Sequence, residues 1–191
     1  MKYINKILKS EKTIFNYKDI WLLLWIENRE TIKSFLSRQI KSGTLQRLSK
    51  GIYALPNFDK YEFASKIKKN SYISFETVLK SKWIIFQDYS HTIFLASDNT
   101  WEKKVVWLNF VYNKIKKTIL QNPLWLEQKK QYTIASTERA ICDRIYISWD
   151  YYFDNLEWIN IQKLKQIAQI YNKRVILQID KLIKNAQHRS T

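Results

Sequence analysis

The chain has 191 residues, 46% apolar and 15% aromatic, with a net charge of +16 and a pI near 9.8. That composition excludes a disordered chain, and the absence of any run near 18 apolar residues excludes a membrane-spanning helix. The single cysteine, Cys142, leaves neither an internal disulfide nor a zinc cluster.

The charge implies a polyanionic partner, of which nucleic acid is the commonest. A lysine-, isoleucine- and asparagine-rich composition also arises from AT-rich coding, so charge supports a motif without replacing one. Residues 1–57 carry eleven Lys/Arg against four Asp/Glu, the denser part of the excess. The opening MKYINKILKSEK has no apolar core followed by a small-residue cleavage site, so no signal peptide is expected, and the expected location is cytoplasmic.

Ile4, Ile7 and Leu8 recur at helical spacing and predict a first helix over 2–10. Thr13 to Asn16 reads as a connection. Tyr17–Leu24 is a second apolar helix, with Asn16 as its cap. Asn28 caps a third, in which Ile32, Phe35, Leu36 and Ile40 form one apolar stripe. Its opposite face carries Glu30, Ser34, Ser37, Arg38 and Lys41, flanked by Thr31 and Lys33.

The chain has only two glycines. Gly43 reads as a left-handed helix stop, and Gly51 as the turn of a hairpin between Leu45–Leu48 and Ile52–Leu55. Pro56-Asn57 ends that hairpin. Helix, turn, helix, glycine stop, hairpin, proline is the order of a winged helix-turn-helix, assigned to residues 1–57. Ser37, Arg38 and Lys41 would enter a major groove, supported by Arg29, Thr31, Lys33 and Ser34. Arg47, Ser49 and Lys50 on the wing would meet the phosphate backbone or the minor groove.

Residues 58–191 read as a second α+β domain, a small, mostly antiparallel sheet with flanking helices. Phe63, Ala64 and Ile67 face inward from a helix over Tyr61–Lys69. After Tyr72-Ile73, Ser74 would cap Phe75–Lys82. Trp83–Phe86 reads as a short strand or the helix end. Four strands are predicted, over Thr92–Ala96, Lys104–Leu108, Phe110–Ile115 and Gln131–Ile134. Ile119–Leu126 reads as a loop or short helical turn. Ser136 caps Thr137–Tyr146, whose Ala140, Ile141 and Ile145 face inward while Arg139, Asp143 and Arg144 lie elsewhere around the helix. Helices over Asn160–Ile170 and Arg174–Asn185 close the chain, and the final AQHRST reads as frayed.

Catalytic chemistry finds little footing. With no third glycine, no G-x-G-x-x-G phosphate cradle can be built. His91 and His188 lie far apart, and no His or Cys spacing suits a metal. Glu138 and Asp143 are five apart on a helix, too far round to act as a pair. Cys142 reads as a small buried hydrophobe. No catalytic residue, cofactor or metal is therefore expected.

The wing sequence Arg47-x-x-x-Gly51-x-Tyr53, the stretch Tyr72–Leu79 (YISFETVL) and the stretch Ile134–Tyr146 (IASTERAICDRIY) occur in an order and spacing that resemble the AbiEi-type antitoxins of type IV toxin–antitoxin systems. The resemblance covers roughly residues 13–185. It departs from the family pattern at Thr137, where proline is frequent, and at Arg139, where lysine is frequent. It implies an N-terminal domain that represses its own operon at inverted repeats in duplex DNA. It also implies a C-terminal domain that counters a nucleotidyltransferase-type toxin without a long-lived complex. A stand-alone winged-helix regulator and a protein-interaction module without DNA binding are the alternatives.

Overall fold

The computed structural model describes residues 2–188, with side chains over 3–185. It is a mixed α+β chain with helices and two sheets. Two compact units divide between Ile67 and Lys68.

The first unit runs α1 (Lys2–Leu8), β1 (Ile14–Asn16), α2 (Tyr17–Leu24), α3 (Arg29–Lys41), β2 (Gln46–Ser49), β3 (Ile52–Ala54) and α4 (Lys60–Ile67). Local chemistry sets the helix boundaries. Asn16 Oδ1 accepts the Asp19 N–H at 2.8 Å, and the Asp19 carboxylate accepts the Asn16 N–H at 2.9 Å, a reciprocal cap on α2. Asn28 Oδ1 accepts the N–H groups of Glu30 and Thr31 at the start of α3. Gly43, at φ +71°, ends α3. Its N–H bonds Ile40 O, and the Thr44 N–H bonds Gln39 O, the paired closure of a Schellman stop.

Two expectations here are corrected. Residues 14–16 are not a connection but a third strand. β1 pairs antiparallel with β3, which also pairs with β2, giving the order β1-β3-β2. Ile40 is 37% exposed and leaves the apolar stripe, because α3 packs only Ile32, Phe35 and Leu36 into the core. These three join Ile7, Phe15, Ile20, Leu24, Ile26 and Leu45 in one cluster. Burying each such side chain contributes about 1.5–3 kcal/mol.

α4 lies beyond residue 57 yet belongs to this unit. Glu62 Oε2 accepts both the backbone N–H and the hydroxyl of Thr13 at 2.7 Å. Lys66 pairs with Asp19 at 2.5 Å.

The second unit holds β4 (Ser71–Ile73), α5 (Phe75–Ser81), β5 (Thr92–Ser97), β6 (Trp101–Val105), β7 (Leu108–Lys114), α6 (Lys117–Leu120), β8 (Leu126–Gln128), β9 (Thr133–Ala135), α7 (Thr137–Ile147), α8 (Ile161–Ala168) and α9 (Lys173–His188). Six strands lie in the order β6-β7-β5-β4-β9-β8. The β6/β7, β5/β4 and β8/β9 pairs are antiparallel, and β7/β5 and β4/β9 are parallel.

Four strand expectations change. The predicted strand over Lys104–Leu108 spans a hairpin turn instead, with Val105 paired to Leu108 across Val106-Trp107. Ser71–Ile73 and Leu126–Gln128 are strands too short to show a period. Trp83–Phe86 is neither strand nor helix, since Trp83 turns left-handed at φ +58°. Among the described residues five non-glycine residues, three of them tryptophans, take such left-handed backbone. The expected fraying of AQHRST concerns side chains outside the described residues, although the α9 backbone runs to His188.

Ser74 stands at the head of α5 without capping it. Its hydroxyl points instead to Asp143 at 2.6 Å. α7 does start at a working cap, where Ser136 Oγ accepts the Arg139 N–H. Its Arg139 and Asp143, expected elsewhere around the helix, are wholly buried together with Ala140, Ile141, Cys142 and Ile145. Among the described residues no helix is long and apolar enough to cross a membrane.

Candidate nucleic-acid interface

α3 is held by one face only, so helical geometry puts its other residues in solvent. Arg29, Thr31, Lys33, Ser34, Ser37, Arg38 and Lys41 are all exposed. Arg47 and Lys50, on the β2–β3 hairpin, are exposed as well, and Ser49 is half-buried. The hairpin is bent by a bulge between Arg47 and Ser49, with Gly51 at φ +74° in its turn.

These side chains differ in how far they are already engaged. Lys33 pairs with Glu30 at 2.7 Å, which neutralises it. The Arg29 guanidinium lies 5.7 Å from the centroid of the Tyr17 ring. No ion pair among the described residues engages Arg38, Lys41, Arg47 or Lys50. The C-terminal turn of α3 thus presents two uncompensated cations, Arg38 and Lys41, beside the hydroxyl of Ser37. Cations there also suit the negative end of the helix dipole.

Asp19 ties the start of α2 to Lys12 and to Lys66 of α4. Burial would raise its carboxyl, but ion pairs with Lys66 and Lys12 and the Asn16 N–H hold it below the usual carboxylate range.

The second unit contains a polar cluster that the sequence reading did not assemble. The buried Asp143 carboxylate accepts hydroxyl hydrogens from Tyr72 (3.0 and 3.1 Å), Ser74 (2.6 Å) and Tyr171 (2.6 Å). Tyr72 Oη in turn accepts from Arg139 Nε and Nη2 at 3.2 Å. The remaining Arg139 N–H groups donate to the carbonyls of Ile119, Asn122 and Leu124. Burial pushes Asp143 up from the ordinary carboxyl value, opposed by the Arg139 charge and the three hydroxyls. Around this centre Glu76 pairs with Arg144 at 3.1 Å and Glu138 with Lys163 at 3.0 Å.

One signal in the sequence pointed here: Arg139 and Asp143 are four apart on a helix, the spacing of neighbours on one face. Tyr72, Ser74 and Tyr171 carried no signal, because only the fold brings them to that helix. The cluster ties β4, α5, α7, the α6–β8 segment and the α8–α9 junction. Each of the three hydroxyls donates to the Asp143 carboxylate.

His91 stands edge-on to Trp107 with ring centroids 5.5 Å apart. An open groove of about 700 Å³ lies between the 150–161 segment and α9, and takes none of the α3 or hairpin residues. Among the described residues no group of three His, Cys, Asp or Glu is placed to hold a metal. No protein-family model matches the chain, and no curated protein matches it.

Proposed function

We propose that the first unit is a winged helix-turn-helix that binds duplex DNA, with α3 in the major groove and the β2–β3 hairpin as the wing. The observation that carries this is the joint arrangement of the unit: the order α1-β1-α2-α3-β2-β3 with sheet order β1-β3-β2, and an α3 whose only buried residues are Ile32, Phe35 and Leu36. Such a helix is braced along one side and presents Ser37, Arg38 and Lys41 from the other. Arg38 is the candidate base reader, since its planar fork suits guanine O6 and N7. Lys41, Arg47 and Lys50 are candidate phosphate contacts.

On this reading the protein is a transcriptional regulator without a catalytic step. The resemblance to AbiEi-type antitoxins extends it to an autorepressor that counters a nucleotidyltransferase-type toxin in the cytoplasm. One observation favours that extension. The two stretches that carry the resemblance in the second unit, Tyr72–Leu79 and Ile134–Tyr146, meet at the Tyr72–Asp143–Arg139 cluster. Sequence features that are distant along the chain thus serve one packing centre.

The test is duplex binding by fluorescence anisotropy, on sites selected from a random library and on the DNA upstream of the protein's own gene. With 6–10 phosphates neutralised, affinity falls about 10³–10⁵-fold between 50 and 200 mM salt. Arg38→Ala weakens the selected site by about 1–3 kcal/mol and relaxes preference at one position. Salt-insensitive or undetectable binding to every duplex would overturn the reading. The antitoxin extension is tested separately, by whether co-expression relieves growth arrest caused by a nucleotidyltransferase-type gene adjacent to this one.

A further inference from the structure

α2 is an eight-residue helix whose outward face is apolar. Trp21 is 42% exposed, Leu22 is 52% exposed and Trp25, its left-handed cap at φ 56°, is 85% exposed. At 100° per residue Trp21 and Leu22 flank Lys18, away from the buried Ile20 and Leu24, and the exposed Trp25 follows at the end of the helix. Trp25 takes a backbone conformation that glycine would adopt freely and holds an indole in water. Neither property helps the unit fold.

We infer that this face of α2 is the contact between two copies of the chain, packed antiparallel about a two-fold axis. Charge selects that occupant. Lys18 stands at the N-terminal end of the face and Glu27 lies just past its C-terminal end. Both are exposed, and among the described residues neither has an ion-pair partner. Antiparallel alignment of α2 with a second α2 sets Lys18 of each copy beside Glu27 of the other and stacks the tryptophans between them. A two-fold contact makes any such pair twice. The same alignment opposes the two helix dipoles favourably.

The size of the patch fixes the strength of the contact. Two partly exposed tryptophans and a leucine fall short of the roughly 800 Å² per partner that a standard stable interface buries. Each copy also carries +16, so the copies repel in dilute salt. Self-association is therefore weak and strengthens as salt screens that repulsion, the Debye length falling from about 10 Å at 0.1 M to about 3 Å at 1 M. DNA binding has the opposite salt dependence. The inference therefore stands or falls apart from the DNA reading.

The experiment is sedimentation equilibrium of the full chain without DNA, from 0.05 to 1 M sodium chloride, at protein concentrations up to about 0.5 mM, which probes weak association in the range tabulated for such energies. The wild type is expected to shift from monomer toward dimer as salt rises. Trp25→Gly, which relieves the left-handed site and so keeps the fold, weakens dimerisation at least tenfold. Glu27→Lys weakens it similarly by placing like charges together, and Lys18→Glu/Glu27→Lys restores it at unchanged net charge. A wild type monomeric at every salt would overturn the inference. So would undiminished dimerisation of Trp25→Gly, or a double variant no better than Glu27→Lys.

Discussion

Tyr72 Oη stands between Asp143 and Arg139, donating to the carboxylate at 3.0 Å while accepting from two guanidinium nitrogens at 3.2 Å. The hydroxyl has one hydrogen and spends it on the anion, leaving its lone pairs to the cation. The two buried charges are thereby joined through a phenol, and the three further Arg139 contacts fall on the carbonyls of Ile119, Asn122 and Leu124.

Removing one charge leaves the other buried and uncompensated. Asp143→Ala is therefore expected to destabilise the second unit by about 3–5 kcal/mol. Tyr171→Phe, which deletes one of three donors to the carboxylate, costs about 1.5–3 kcal/mol. Hydrogen exchange read peptide by peptide checks both. Protection is lost over β4, α5 and α7, while α2 and α3 keep theirs. Uniform loss across both units would show that the cluster does not act within its own unit.

Asp19 predicts an acid dependence for the first unit. Its carboxyl titrates below the usual range when folded, despite burial, because Lys66, Lys12 and the Asn16 N–H favour the charged form. A depressed acid contributes stability above its unfolded value, and that stability fades as pH falls through the lower folded value. The first unit should therefore lose stability on acidification below about pH 4. Asp19→Asn should be less stable at pH 7 and lack this contribution to the slope. Thermal unfolding between pH 2 and 7, followed by hydrogen exchange in α2, measures it.

Gly51 turns the hairpin at φ +74° with no atom within 4 Å of an added Cβ. Gly51→Ala therefore meets no clash and is expected to cost only the backbone penalty, about 1–2 kcal/mol. Chemical denaturation reads this as a lower midpoint with an unchanged slope. A much larger loss would mean that the hairpin rearranges.

Trp25→Gly is expected to do the reverse. The left-handed strain disappears and a side chain already 85% exposed is removed, so stability rises by up to about 1 kcal/mol, partly offset by the freer unfolded glycine. Calorimetry should show a higher Tm. A lower Tm would mean that the indole packs against the fold.

Sequence alone settled what is local. The start of α2 and both ends of α3 follow from Asn16, Asn28 and Gly43, because a cap or a stop is decided within a few residues. The solvent-facing set on α3 follows from the 3.6-residue repeat once Ile32, Phe35 and Leu36 face inward. Tertiary structure decided the rest. Residues 14–16 became a strand because β3, nearly forty residues on, offered its free edge. The Lys104–Leu108 run broke at Val106 because pairing with β7 demanded a two-residue turn there. Arg139 and Asp143, polar by type, were buried because Tyr72, Ser74 and Tyr171 arrive from other elements to satisfy them. A charge enters a core only when distant partners meet it, and a stretch of sequence does not contain its own distant partners.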